Sequence, residues 1–282
     1  MLVRNFSEMK AFLPSIEMKG NPTVFNDALE VAQNDLTDKI IGEDLELLLE
    51  DRNQEDARLL KMCQRIISVD AFLTSIPEMD LVLTDAGFAV MNNESMAPAS
   101  RERVQSLTAA LQARLDDSKD KLISFLMSSE RYNSWNGTEQ YNRLADGLIM
   151  TFTEFKDCAV MNRMTAQAYP KTWEDFLQLN PALNVALMTD VAGYISTEYA
   201  EEILEKTKDR EPFLAIERQV IKLIKIAIAT IVIGDKHCGI EQVIAAVAIM
   251  KANPDSFPTF SNSTAAEDMT LTHDDSPIFS MF

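Results

Sequence analysis

Apolar positions recur along this chain with a helical period, and the pattern runs through twice. In the first pass Ser7 leads to Phe12-Leu13, then Asn21-Pro22, then a periodic run through Leu36, Ile40 and Leu45. In the second, Thr172 leads to Phe176-Leu177, then Asn180-Pro181, then a run through Ile195, Tyr199 and Leu204. A further apolar run follows each, Leu59 to Leu73 and Ile216 to Ile233. The echo predicts a mainly α fold of two related helical halves, a scaffold made by internal duplication.

Start and stop signals divide these runs into elements. Asn21 is a suitable N-cap and Pro22 a suitable first helical residue, because its missing N–H would be unpaired there. The first long helix is predicted to end at Ile41, with Gly42 taking the C′ position. A short acidic helix, Glu43 to Glu50, follows, then a helix from Glu55 to Leu73. Pro77 is expected to break that helix. Leu81-Val82-Leu83, a turn at Thr84 to Gly87, and Phe88-Ala89-Val90 then read as a β-hairpin, about 81–90. Ser100 caps the longest helix, which carries the stripe Val104, Leu107, Leu111, Leu115, Leu122 and Leu126 and spans ~40 Å if it runs to Met127. Beyond it the pattern predicts helices over Tyr141 to Ala168, Thr172 to Leu179, Pro181 to Lys206, Phe213 to Ile233 and Ile240 to Ala252. The expected organisation is an N-terminal half with the hairpin (1–127), a junction (128–140), a C-terminal half (141–253) and an extended tail (254–282).

Composition narrows the classes. Of 282 residues, 46% are hydrophobic and 25% charged, and only 8 are Gly and 10 Pro, which suits long helices with few turns. The net charge of −18 disfavours tight binding to nucleic-acid phosphates or to an anionic membrane. An acidic wall can still let a duplex pass without holding it. Cys63, Cys158 and Cys238 form no C-x-x-C pair, so neither a disulfide framework nor a zinc site is expected, and a reducing compartment fits. The first twelve residues lack the apolar core of a signal peptide. Val220 to Ile233, interrupted by Lys222 and Lys225, is too short to span a bilayer.

No catalytic, cofactor or metal residue stands out. Acidic residues cluster between 35 and 58, with Glu43, Glu46 and Glu50 on one side of a helix, but the only histidines, His237 and His273, make no Glu-x-x-His pair. Glu198, Glu201, Glu202 and Glu205 read the same way, as solvated faces. Lys236-His237-Cys238-Gly239 reads as a turn between helices. Phosphate-loop, dinucleotide, nucleophile-elbow and zinc-protease motifs are absent from the sequence, and no enzyme is expected. Arg101, Arg103, Arg114, Lys119 and Lys121 on the long helix suit local pairs such as Asp117–Lys121, or acids of a neighbouring subunit. The candidate partner contacts are Leu81, Val82, Leu83, Phe88 and Val90 of the hairpin, whose edges offer unpaired backbone groups. Phe257, Phe260, Phe279 and Phe282 of the tail join them, as anchors on the chain's own body or on a neighbouring chain.

The segment from Ile76-Pro77-Glu78-Met79-Asp80 through Ala86-Gly87-Phe88-Ala89-Val90, followed by Ala97-Pro98-Ala99-Ser100-Arg101-Glu102-Arg103-Val104, resembles an uncharacterised family of Bacteroides-type bacteria and their phages, found among phage structural genes. In class the chain is similar to phage head-tail connector, or adaptor, proteins. The resemblance implies a ring beneath the portal of a virion made in the bacterial cytoplasm. Twelve copies are then expected, with the portal protein and a tail or stopper protein as partners and DNA passing through. Two other readings fit the residues: a cytoplasmic helical module binding one protein partner, and an enzyme with an unrecognised carboxylate site.

Overall fold

Helices dominate the computed structural model of the chain, which describes residues 1–13, 25–79, 81–84, 87–90, 100–159 and 169–267. The chain divides into two compact units, Met1–Tyr141 and Asn142–Phe282.

The first unit opens with α1 (Phe6–Lys10), capped by the Asn5 side chain, which accepts from the Glu8 N–H at 3.0 Å. α2 (Asn26–Leu36) follows and widens over Thr37–Ile41 into a π-helical turn closed by a Gly42 N–H to Thr37 C=O bond of 2.9 Å. Next come α3 (Glu43–Glu50), α4 (Ala57–Met79) and α5 (Arg101–Ser128). α4 is central and packs against α1, α2 and α5. Its apolar face sets Leu59, Cys63, Ile66 and Ile67 against Leu29, Leu36, Leu115 and Leu122, all buried. The backbone of β1 (Leu81–Thr84) runs antiparallel to β2 (Gly87–Val90), Leu81 opposite Val90 and Thr84 opposite Gly87.

α6 (Glu139–Ala145) spans the boundary along the chain. The second unit continues with α7 (Phe152–Cys158) and α8 (Trp173–Val185), which widens over Ala186–Val191 into a second π-helical turn. α9 (Ala192–Ile195), α10 (Thr197–Lys208), α11 (Ala215–Val232) and α12 (Lys236–Ala252) complete its body. α11 and α12 make the closest pair. A Cβ at Gly239 would stand 2.5 Å from Ile231 and 2.9 Å from the Ala227 carbonyl, so this crossing requires glycine.

Several elements differ from the expectation. Asn180 does not cap a new helix: α8 runs through Pro181, and buried Asn180 donates to the Arg143 carbonyl at 3.1 Å. Likewise α4 continues through Pro77 to Met79. A proline removes one N–H and clashes with one carbonyl, and tertiary packing can hold a helix through that loss. The helix expected over 141–168 breaks after Ala145, because Thr151 caps a new one, accepting from the Glu154 N–H at 3.1 Å. α12 starts at Lys236, not Ile240, with Asp235 as its cap, so Lys236 to Gly239 form a first helical turn. The junction expected over 128–140 is packed, with Tyr132 and Trp135 in the core of the first unit, and the boundary between the units follows Tyr141. The tail is not extended over its first part, where Pro254–Ser256, α13 (Pro258–Ser261) and α14 (Thr264–Glu267) pack on the second unit. Asn21-Pro22, Pro98-Ala99, residues 160–168 and residues 268–282 lie outside the described residues.

The echo also changes register. In each unit a wide helical turn precedes a residue of positive φ, directly at Gly42 (+76°) and after the four-residue α9 at Ser196 (+73°), and that residue starts the next helix. Buried Leu45 and Leu49 then match buried Tyr199 and Ile203. Apolar residues recur every turn, so matching them alone slides by about one turn. The positive-φ residue fixes the alignment.

With ψ of 162° and 149°, Gly42 and Ser196 occupy a region that essentially only glycine adopts freely. Gly42→Ala is expected to destabilise the protein by about 1–3 kcal/mol. Ser196→Gly gives up a cap bond to the Tyr199 N–H, worth a few tenths relative to Gly, and relieves strain, so a gain of about 1 kcal/mol is expected. Urea unfolding midpoints check both; equal responses would contradict the assignment.

Candidate interaction site

α4 has two faces. Opposite its buried stripe, Arg58, Lys61 and Arg65 recur at helical spacing and are exposed. Together with half-buried Met62, and with Ser118 and Lys121 of α5, they line an open groove. The Arg58 guanidinium sits 4.6 Å from the centroid of the Phe125 ring, which fixes its head over an aromatic face. Lys121 is paired with Asp117 at 2.5 Å, one turn back on α5, and both are largely exposed. Such a pair holds its members only weakly.

The acids nearest Arg58 in sequence are already engaged. Arg131 pairs with Glu55 at 2.7 Å and donates from Nε to Asp56 at 2.7 Å, while the Tyr132 hydroxyl donates to the same carboxylate at 2.9 Å. Asp56 is buried, and the Arg131 guanidinium holds its carboxyl below the ordinary range against the opposing pull of burial. Tyr132 is raised to about 12, by burial first and by Asp56 second. Among the described residues Arg58, Lys61 and Arg65 make no ion pair. The groove therefore carries unneutralised positive charge in a chain of net charge −18.

The remaining chemistry is largely absorbed by structure. Glu46 is not a solvated acid: it accepts from Gln33 and, at 2.8 Å, from the Thr37 hydroxyl. Gln33 in turn accepts from the buried Leu2 N–H at 2.7 Å. Glu50 pairs with the Met1 amino group. Glu202 and buried Glu217 both pair with Lys206, at 2.8 and 3.1 Å. Burial raises the Cys63 thiol to about 12 and the Cys158 thiol to about 11, and burial also pushes Cys238 upward. Raised thiols are poor nucleophiles at neutral pH. Among the described residues no three His, Cys, Asp or Glu side chains gather to hold a metal ion. No described helix is long and apolar enough to cross a membrane.

The candidate contacts from the sequence separate. Phe257 and Phe260 are buried in the chain's own second unit, Phe257 meeting Tyr199 edge-to-face at 5.9 Å, so they are not free for a partner. Leu81, Val82, Leu83, Phe88 and Val90 lie on the paired strands β1 and β2, and Phe279 and Phe282 lie outside the described residues. Arg58, Lys61 and Arg65 were missed as a group. Their signal was three cations on the polar face of an otherwise apolar helix, more compact than the scattered cations of α5.

Residues 25–144 match the model of a family described as "Family of unknown function (DUF6712)". The match lies almost entirely within the first unit and includes every groove residue and both strands. No curated protein and no solved structure matches the chain. No activity is attached to that family by its description.

Proposed function

We propose that this chain is a structural protein of a tailed-phage virion, a ring-forming connector between the portal and the tail. The observation that carries the reading is the ribbon of β1 and β2 in a helical protein. Among the described residues each strand of this two-stranded sheet keeps one row of backbone N–H and C=O groups without a strand partner, a ready template for a neighbouring chain. Such a ribbon alone is marginal in water, so contact with a neighbour would also stabilise it. The net charge of −18 supports a wall past which DNA moves without sticking. Two helical units, each compact by itself, supply scaffold for a ring, and the resemblance of residues 76–104 to phage structural genes supplies the setting. In this reading copies of the chain bind one another, the portal protein and a tail or stopper protein, with no reaction to accelerate.

Native mass spectrometry of the purified chain, with and without the portal protein of the same virion, tests it. A closed oligomer, twelve copies by the resemblance, is the expected result. A strict monomer that ignores the portal contradicts the proposal and favours the single-partner binding module. A companion truncation belongs after Glu267. Cutting at 253 would strip Phe257 and Phe260 from the second unit's core and confound assembly with folding.

A further inference from the structure

We propose that the basic groove of α4 and α5 receives the acidic, phenylalanine-bearing end of a second copy, residues 268–282. This rests on the assembly reading above and names the contact that closes it. The groove offers three exposed cations without an ion pair among the described residues, Arg58, Lys61 and Arg65. Met62 lines the groove among them and gives it an apolar patch, while Arg58 rests on the Phe125 ring beside it. A fitting ligand therefore carries several negative charges with an apolar or aromatic group close by. A bare anion would use the cations and leave the apolar patch wet.

The chain contains one such segment outside the described residues. Residues 268–282 hold Asp268, Asp274 and Asp275, then Ile278, Phe279 and Phe282, with no Lys or Arg. The dimensions agree. Arg58 to Arg65 covers about 10 Å along α4 at 1.5 Å per helical residue. Asp275 to Phe279 covers about 13 Å at ~3.3 Å per residue if extended. Acids and ring can thus reach cations and patch at once. Starting from α14 on the second unit, the segment can reach at most about 50 Å. A nucleic-acid phosphate would also suit the cations, but the net charge of −18 repels a duplex, and a phosphate would leave Met62 without a role.

A charge swap in the full chain tests the contact. Arg58→Glu, Lys61→Glu and Arg65→Glu together form the groove variant. Asp268→Lys, Asp274→Lys and Asp275→Lys together form the tail variant. Each variant is expected to weaken self-association about tenfold or more by native mass spectrometry and light scattering. The combined variant is expected to regain most of it, and rising salt should weaken the wild type. Circular dichroism checks that the substitutions leave the fold intact. A groove variant that assembles normally overturns the inference and leaves the connector proposal standing. Loss in both single sets without recovery in the combination excludes the tail as occupant. Duplex DNA binding that the groove variant abolishes reassigns the groove to phosphate. A monomeric wild type sinks the assembly reading and this contact with it.

Discussion

Trp135→Ala is expected to lower stability by about 3–5 kcal/mol, the largest single-residue effect in the first unit. Trp135 is fully buried, and its ring stacks edge-to-face on buried Tyr141 at 5.1 Å. Removing it opens a large cavity between the end of α2 and the chain after α5. Its indole N–H also donates to the Ile40 carbonyl at 2.6 Å. That carbonyl lies in the last, widened turn of the helix, just before Gly42, where intrahelical donors run out. Trp135 thus closes a helix end from almost a hundred residues away. Trp135→Phe keeps most of the volume and removes the donor, so a smaller loss of about 1–3 kcal/mol is expected. Urea unfolding by circular dichroism gives the magnitudes. Hydrogen exchange locates them, and amides of Thr37–Ile41 should lose protection first. Equal stability of Trp135→Phe and the wild type would show that the indole bond closes nothing.

Asp56→Ala is expected to cost about 3 kcal/mol. The carboxylate is 1% exposed and holds the Arg131 guanidinium and the Tyr132 hydroxyl. Its loss leaves a buried hydroxyl without its acceptor, while Arg131 can turn partly to water, which keeps the effect at the lower end for a broken buried pair. The sign with pH follows from the lowered carboxyl. A group ionised more readily when folded stabilises fully above its unfolded value, near pH 4, and that stability is lost as pH falls through the lower folded value. Glu8, held down by Arg52, contributes in the same direction. Wild-type stability should therefore fall steeply below about pH 4. Asp56→Asn should flatten that fall without abolishing it, because Glu8 remains. Trp135 fluorescence in a Trp173→Phe background follows the first unit alone, since the chain has 2 tryptophans, one in each unit. An Asp56→Asn variant with an unchanged acid limb would remove Asp56 from this account.

Local signals made much of the helical fold legible. Gly42 ends one helix and the acidic run Glu43–Glu50 forms the next, because a positive-φ glycine and a charged first turn act within a few residues. Ser100 and Thr172 cap helices for the same reason. What depended on distant partners was not legible. Pro77 and Pro181 look like breaks until packing on both sides of them is known. The polar run 128–140 reads as a junction because its single Trp and Tyr carry little weight in a composition, although Trp135 and Tyr132 bind Ile40 and Asp56. Phe257 and Phe260 read as anchors on the chain's own body or on a neighbour, and a Ser- and Pro-rich neighbourhood does not show which; both are core residues. The groove escaped notice because α5, which completes it with Ser118 and Lys121, is distant in sequence from Arg58, Lys61, Met62 and Arg65 on α4.

The central claim is that this molecule exists to hold copies of itself and its neighbours in a stack. Native mass spectrometry of the intact chain at micromolar concentration tests that most directly. The account predicts one closed oligomer that becomes smaller when residues 268–282 are removed. A single species of 31.7 kDa at every concentration, unchanged by portal protein, would contradict it.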